Sequence, residues 1–332
     1  MKKMLLIALL AIVSFGFYSC DEDDPIIDDK LETKSEALSM GAGYANDIYY
    51  SLSNGVVAEV PRANWDVAFS VDAMSSSILI NEGSGVELKE FPTDAGWQWV
   101  DAIDTTGYSE WTLLYNGDDE WEEGAFGANV TDDELNYGWG NYDMVSHNVE
   151  GVALYVIKLR NGDFKQIYIE VKQSVAQTYI FKYANIDGSS QETVTLDVSD
   201  SDANFVYFDL ESKLRVDREP DASTWDLLFT KYIDNSLPYN VSGVLQNNDI
   251  YAINEDDVLD LTLVDYFETD FEDDITEIGY DWKDIDMATF EWIIDSDRMY
   301  FVKDKNDKVY KIVFTSFGGQ ANGDIGFDIT TL

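Results

Sequence analysis

Two stretches 160 residues apart, WDVAF at 65–69 and WDLLF at 225–229, constrain this chain more than any other feature, because they sit at the centre of a repeated text. Upstream, YYSLSNGVVAEVPRANWDVAF (49–69) aligns with YFDLESKLRVDREPDASTWDLLF (207–229) once the second copy is allowed two extra residues before its tryptophan. Downstream, LYVIKLRNGDFKQIYIE (154–170) aligns with MYFVKDKNDKVYKIVFT (299–315), which places Tyr155, Lys158, Asn161 and Ile167 on Tyr300, Lys303, Asn306 and Ile312. Between these blocks lie WGNYDM (139–144) and WKDIDM (282–287), each with a methionine five residues after a tryptophan. Three matching blocks in one order predict a tandem duplication, with copies at 36–188 and 190–332.

The pattern inside each copy is that of strands. Apolar and polar residues alternate with period two, β-branched and aromatic residues are frequent, and Asn-Gly, Asp-Gly and Gly-Ser pairs punctuate the runs. The fold class is therefore all-β, as two β-rich modules in series with open, sandwich-like sheets. The clearest hairpin joins Ala153 to Leu159 with Phe164 to Val171 through Arg160-Asn161-Gly162-Asp163, since Asn-Gly supplies the positive φ angles of a tight turn. Trp65, Val67 and Phe69 are expected to face a core, with Asp66 pointing away or making a local turn contact; Trp225, Leu227 and Phe229 repeat the arrangement. A short helical turn is expected within 38–47.

Residues 1–19 read as a signal peptide: Lys2 and Lys3 precede an apolar run from Leu5 to Phe17 that is short for a permanent membrane span. Cys20, the only cysteine, stands where bacterial lipoproteins are cut and acylated, so it is the expected lipidation site and lipid anchor. The acidic stretch that follows, within 20–35, reads as a solvated tether and resembles the signal that sends lipoproteins to the cell surface, implying a surface-exposed protein of the outer membrane.

With 65 acidic against 21 basic residues, the formal net charge is −44, and a field of that sign repels nucleic acid. Enzymatic readings fare worse, although among 65 acidic residues some carboxylate pair will always suit glycoside hydrolysis, a signal without information. The single histidine, His147, has no nucleophile motif beside it, zinc chemistry lacks its histidine cluster, and no phosphate-cradling glycine loop is present. NIDGSS (185–190) has part of a calcium loop without its later glutamate, and reads as a turn. No catalytic residue is assigned.

The order of blocks, a Y-x-L strand, the W-D-x-x-F strand, the W-x-x-x-D-M segment and the closing hairpin, resembles the HmuY-like haem-binding lipoproteins across nearly all of the mature chain. The resemblance implies a lipoprotein that captures haem, free or from a haemoprotein, and passes it to an outer-membrane transporter. Family members hold haem iron between two axial side chains, one shortly after the tryptophan that precedes the last hairpin. By that likeness Met144 and Met287 occupy the ligand position, with Met74 or His147 as the second donor in copy one; no metal beyond haem iron is implied. Copy two, with Met287 and the strand residue Met299, departs from a six-coordinate pattern. Each candidate has a plainer reading: a methionine repeated beside a tryptophan suits core packing, and His147 suits an exposed loop. The alternative is the same fold without haem, in which aromatic loops such as 96–115, with Trp97, Trp99 and Trp111, bind a glycan, a peptide or a partner protein.

Overall fold

The computed structural model describes residues 31–332 except 93–98, 132, 134 and 237. The signal segment and Cys20 lie outside the described residues, and so does Trp97. The half up to 188, called the first copy after the repeat expected from the sequence, holds β1 (Thr33–Ser39), β2 (Asn46–Ser51), β3 (Gly55–Pro61), β4 (Val67–Ser70), β5 (Ile78–Ile80), β6 (Glu87–Glu90), β7 (Leu113–Leu114), β8 (Gly140–Tyr142), β9 (Val149–Gly151), β10 (Leu154–Lys158), β11 (Phe164–Gln173) and β12 (Thr178–Asn185). The second holds β13 (Glu192–Asp197), β14 (Phe205–Asp209), β15 (Leu214–Val216), β16 (Leu227–Asp234), β17 (Tyr239–Gln246), β18 (Tyr251–Glu255), β19 (Lys283–Ile285), β20 (Trp292–Ile294), β21 (Met299–Lys303), β22 (Val309–Phe317) and β23 (Asp324–Thr331).

The all-β expectation holds, and the β10–β11 hairpin forms about Gly162, whose φ is 89°. Residues 38–47 carry no helical turn: they end β1, turn through Gly41 and Gly43 at positive φ, and begin β2. Thr33 already belongs to a strand, so ordered structure starts inside the span expected to be tether.

The two copies are not separate modules in series. One sheet runs β13-β12-β11-β10-β6-β7, with β9 added against β11 and β8 against β9; another runs β1-β23-β22-β21-β18. Strand for strand these follow the same order, but the edge strands β1 and β13 have changed places between copies. The hairpins have changed places too. In the sheet β17-β16-β2-β3 the strand carrying WDLLF pairs with the first copy's β2, and in β15-β14-β4-β5 the strand carrying WDVAF pairs with the second copy's β14. Among the described residues four strand pairings thus cross the 188/190 boundary.

Both principal cores draw on both copies. Val206, Phe208 and Leu210 complete the core built on Phe69, Trp139, Tyr155 and Phe181. Met40, Ile48, Tyr50 and Leu52 complete the core built on Phe229, Trp282, Tyr300 and Phe327. The tryptophans of the W-D pairs do not share a face with the strand residues that follow. Trp65 packs with Ala68 and Tyr207, and Trp225 with Tyr49 and Leu228, in the seam where the two exchanged sheets meet. Each tryptophan precedes its strand, so the period-two register that governs Val67 and Phe69 does not reach it. The seam also buries an ion pair, Arg218 Nη2 to Asp47 Oδ2 at 2.6 Å, with the guanidinium 4.9 Å from the Tyr207 ring centre.

The aspartates of the W-D pairs make long-range contacts, not the local ones expected. Asp66 is buried and its Oδ2 accepts the Leu210 N–H at 2.9 Å; Asp226 Oδ2 accepts the Leu52 N–H at 2.7 Å. Each carboxylate therefore grips the end of the hairpin contributed by the other copy. Asp226→Ala leaves the Leu52 N–H buried and unpaired, and a loss of about 1–3 kcal/mol is expected in urea unfolding. Amide exchange should rise at β2 and β3 while β10 and β11 stay protected; uniform acceleration across the chain would show that Asp226 does not act as a local latch.

Candidate functional site

The W-x-x-x-D-M segments end in matching turns. Between β8 and β9, Asp143 Oδ1 accepts the N–H groups of Val145 and Ser146 at 2.8 Å, and its carbonyl accepts the His147 N–H at 2.8 Å. Those bonds favour the ionised carboxyl and hold it below its ordinary pKa. Between β19 and β20, Asp286 Oδ1 accepts the Ala288 N–H and its carbonyl the Phe290 N–H, both at 2.7 Å. His147 and Phe290 occupy the same left-handed position, with φ of 61° and 59°.

These turns place Met144 and Met287 at their tips, 70 % and 74 % exposed. Packing against the neighbouring tryptophan does not explain them. Trp139 and Trp282 are buried in the two cores without them. Among the described residues, the wall of the cavity lined by Met74 and His147 does not include Met144.

Met74 and His147 are wall residues of the same cavity. They line an open groove of about 790 Å³ whose walls include Leu135, Tyr137, Tyr142 and Val175. That volume is within the range of small-molecule sites. Met74, 86 % exposed, rides on the segment 72–76 beyond β4, which Lys172 fastens from behind. The buried ammonium of Lys172 donates to the carbonyls of Asp72 at 2.7 Å, Ala73 at 3.3 Å and Ser75. Burial pushes its pKa down to about 8, against the opposing pull of Asp72.

His147 Nδ1 is 2.6 Å from the Tyr142 hydroxyl, and Nε2 has no partner among the described residues. When Nδ1–H donates to the tyrosine oxygen, the Nε2 lone pair is free to bind a metal. Tyr142 thus fixes the ring and offers one nitrogen outward.

In the second copy the corresponding place is occupied by aromatic rings. Continuing the alignment of β11 with β22 past the bulge each contains puts Phe317 at the place of Lys172. Phe317 packs edge-on to Trp292 at 4.8 Å and Trp282 at 5.4 Å, and stacks at 6.1 Å on Tyr44. Rings fill the space that the first copy leaves open.

Anionic ligand groups would find little help in the groove. Lys158 pairs with Glu87 at 2.7 Å, Arg160 with Asp66 at 3.3 Å, and Arg62 and Lys89 donate to the carbonyls of Tyr44 and Tyr108. The aromatic loop is occupied as well. Trp111 meets Phe91 at 5.6 Å and Tyr108 at 5.3 Å, Tyr108 meets Phe164, and Lys182 lies 4.0 Å over Trp99. These half-buried rings pack over Leu154 and Val156 on the outer sheet face. NIDGSS is a turn, with Asp187 Oδ1 accepting from Ser189.

The sequence did not single out Tyr137, Tyr142, Val175 or Lys172. Their only advance signal was the spacing of Tyr142 five residues before the lone histidine.

No family model matches the chain, and no curated protein matches it. Among solved structures, a Bacteroides fragilis chain described as a "putative lipoprotein" is 13 % identical, with a TM-score of 0.21; the match covers 58 % of this chain and 94 % of that one.

Proposed function

We propose that this chain is a lipid-anchored protein of the outer membrane surface that captures haem in the groove of its first copy, for transfer to an outer-membrane transporter. What supports the reading is that His147 and Met74 both line one apolar-walled groove. An imidazole and a thioether are competent axial donors, and haem bound there would supply the iron they ligate. The anchor rests on the signal-like residues 1–19 and Cys20. Tyr137, Tyr142 and Val175 offer apolar surface to a flat ring, and carboxylate groups would point to solvent, since no lysine or arginine lines the groove. The second copy, closed by Phe317, is a structural partner.

Titrating haemin into the soluble chain is expected to give one saturable, red-shifted Soret band. His147→Ala should abolish the shift and Met74→Leu weaken binding by about tenfold, one such step being about 1.4 kcal/mol. Met144→Ala and Met287→Ala should leave it unchanged. If His147→Ala binds haemin as the unaltered chain does, the haem reading fails and a non-haem ligand of the same groove becomes the better account.

A further inference from the structure

A second pocket, independent of the haem groove, lies where the loop after β7 meets the segment before β19. We infer that it is a site for a small organic cation carrying a primary ammonium group. Its volume is about 230 Å³, and its walls include Asp118, Tyr232, Asp234, Glu277, Tyr280 and Asp281. Tyr232 is only 7 % exposed, yet its hydroxyl has no hydrogen-bond partner among the described residues. That hydroxyl lies beside Gly279, itself part of the pocket wall. A buried, unpaired hydroxyl is costly, and a ligand that pairs with it recovers the loss.

The wall states what the ligand must bring. Asp118 accepts from the Asn235 backbone at 2.8 Å, Asp234 from the Tyr280 hydroxyl at 2.6 Å, and Glu277 from the Asn254 N–H at 3.1 Å, while Asp281 pairs with Arg298. These carboxylates are acceptors only, and Asn254 Oδ1 adds another acceptor without a partner. Burial keeps the Tyr232 hydroxyl protonated, and the charges that act on it next are Asp234, Tyr280, Asp281 and Asp118, which are the pocket wall. A ligand rich in N–H donors and positive charge complements this set.

The arrangement of the side chains argues for an organic cation over a metal ion. Among the described residues no group of three or more histidine, cysteine, aspartate or glutamate side chains is arranged to hold a metal. Calcium draws six to eight oxygens to about 2.3–2.6 Å, whereas the carboxylates of this wall are each engaged with a separate protein donor. An ammonium on an alkyl stem brings three N–H donors and a positive charge, and so matches a wall made of separate acceptors.

The probe is 1,4-diaminobutane, titrated calorimetrically into the soluble chain at 150 mM salt, so that diffuse attraction to the acidic surface is screened. One site per chain is expected, with affinity falling about tenfold in Glu277→Gln and at least fivefold in Tyr232→Phe, and unchanged in Glu211→Gln, an exposed residue between β14 and β15 that is not part of the pocket wall. Equal affinity in all four proteins would overturn the site, because the diamine would then be sensing net charge alone. Stoichiometric calcium binding that is lost in the same variants and is not displaced by diamine would overturn the assignment to an organic cation.

Discussion

The segment 32–188, produced alone, is expected to be unfolded, and to fold only when the segment 189–332 is added, as a one-to-one complex. Alone it loses the neighbour of β4 and the buried Val206, Phe208 and Leu210, together with Leu196 and Val198. At about 1.5–3 kcal/mol per large apolar side chain, the loss reaches the whole stability of an ordinary domain. Closing on itself, with β2 taking the place of β14 beside β4, is not an easy escape. In that arrangement Val67 would stand level with Tyr50, as Leu227 does, and therefore level with Val56 on β3. The chain would have to run from Pro61 back to that level and across β2, about 19 Å at ordinary strand spacings. Six residue steps reach about 20 Å when fully extended. The route would also cross a face that Ile48 and Tyr50 need for burial. In the second copy ten residues, 217–226, separate β15 from β16, so the constraint is weaker there and the prediction is sharpest for 32–188. Circular dichroism and sedimentation of each segment and of the mixture decide it. A cooperative melt from monomeric 32–188 would show that the exchange is dispensable.

Why the exchange was invisible in the sequence follows from what alternation encodes. Period two fixes which side of a strand is apolar, and the pairs at 154–171 and 299–315 were legible because a tight turn also fixes the partner. For WDVAF no turn names a partner. The same text can pair within its own copy or with the other, and only the short step from Pro61 to Val67 distinguishes them. The candidate site was half legible for a related reason. The repeated Asp-Met dipeptide records the turn chemistry of Asp143 and Asp286, not a shared use of the methionines, so spacing from a tryptophan pointed to Met144 and Met287 while the groove gathers Met74 and His147. The difference between an open first copy and a closed second rests on Lys172 and Phe317, two residues past the end of the aligned blocks.

The other large effect is a stability that falls as pH rises from about 4.5 to 7. Two carboxyl groups at the seam are raised far above the ordinary carboxylate range. Glu82 is pushed up to about 7 by burial, although it accepts the backbone N–H groups of Ile233 and Asn116 at 3.1 Å. Glu219 is pushed up to about 7, again by burial, although it accepts from the N–H groups of Asn204 and Phe205 and the Tyr207 hydroxyl. Asp66 rises to about 6 because burial outweighs Arg160 and the Leu210 N–H. A carboxyl whose folded pKa exceeds its unfolded one makes the native state bind more protons, so its stabilisation is complete below the unfolded value and is lost as pH climbs through the folded value. For Glu82 and Glu219 the displacement corresponds to roughly 3 kcal/mol each, as an order of magnitude. The buried lysines act in the next window. Lys283, lowered by burial to about 7, and Lys172, to about 8, favour the neutral amine when folded, so their contribution returns stability as pH rises from there toward 10.5. A stability minimum near neutral pH is the expected outcome, read as the denaturant midpoint at pH 5, 7.5 and 9.5. Replacing both Glu82 and Glu219 with glutamine should lower stability at pH 5, because an amide nitrogen then faces a backbone N–H, and should flatten the descent between pH 5 and 7.5. A double variant with the slope of the unaltered chain would place the titration elsewhere, in the mutual repulsion of the surface carboxylates, and would remove these two groups from the account.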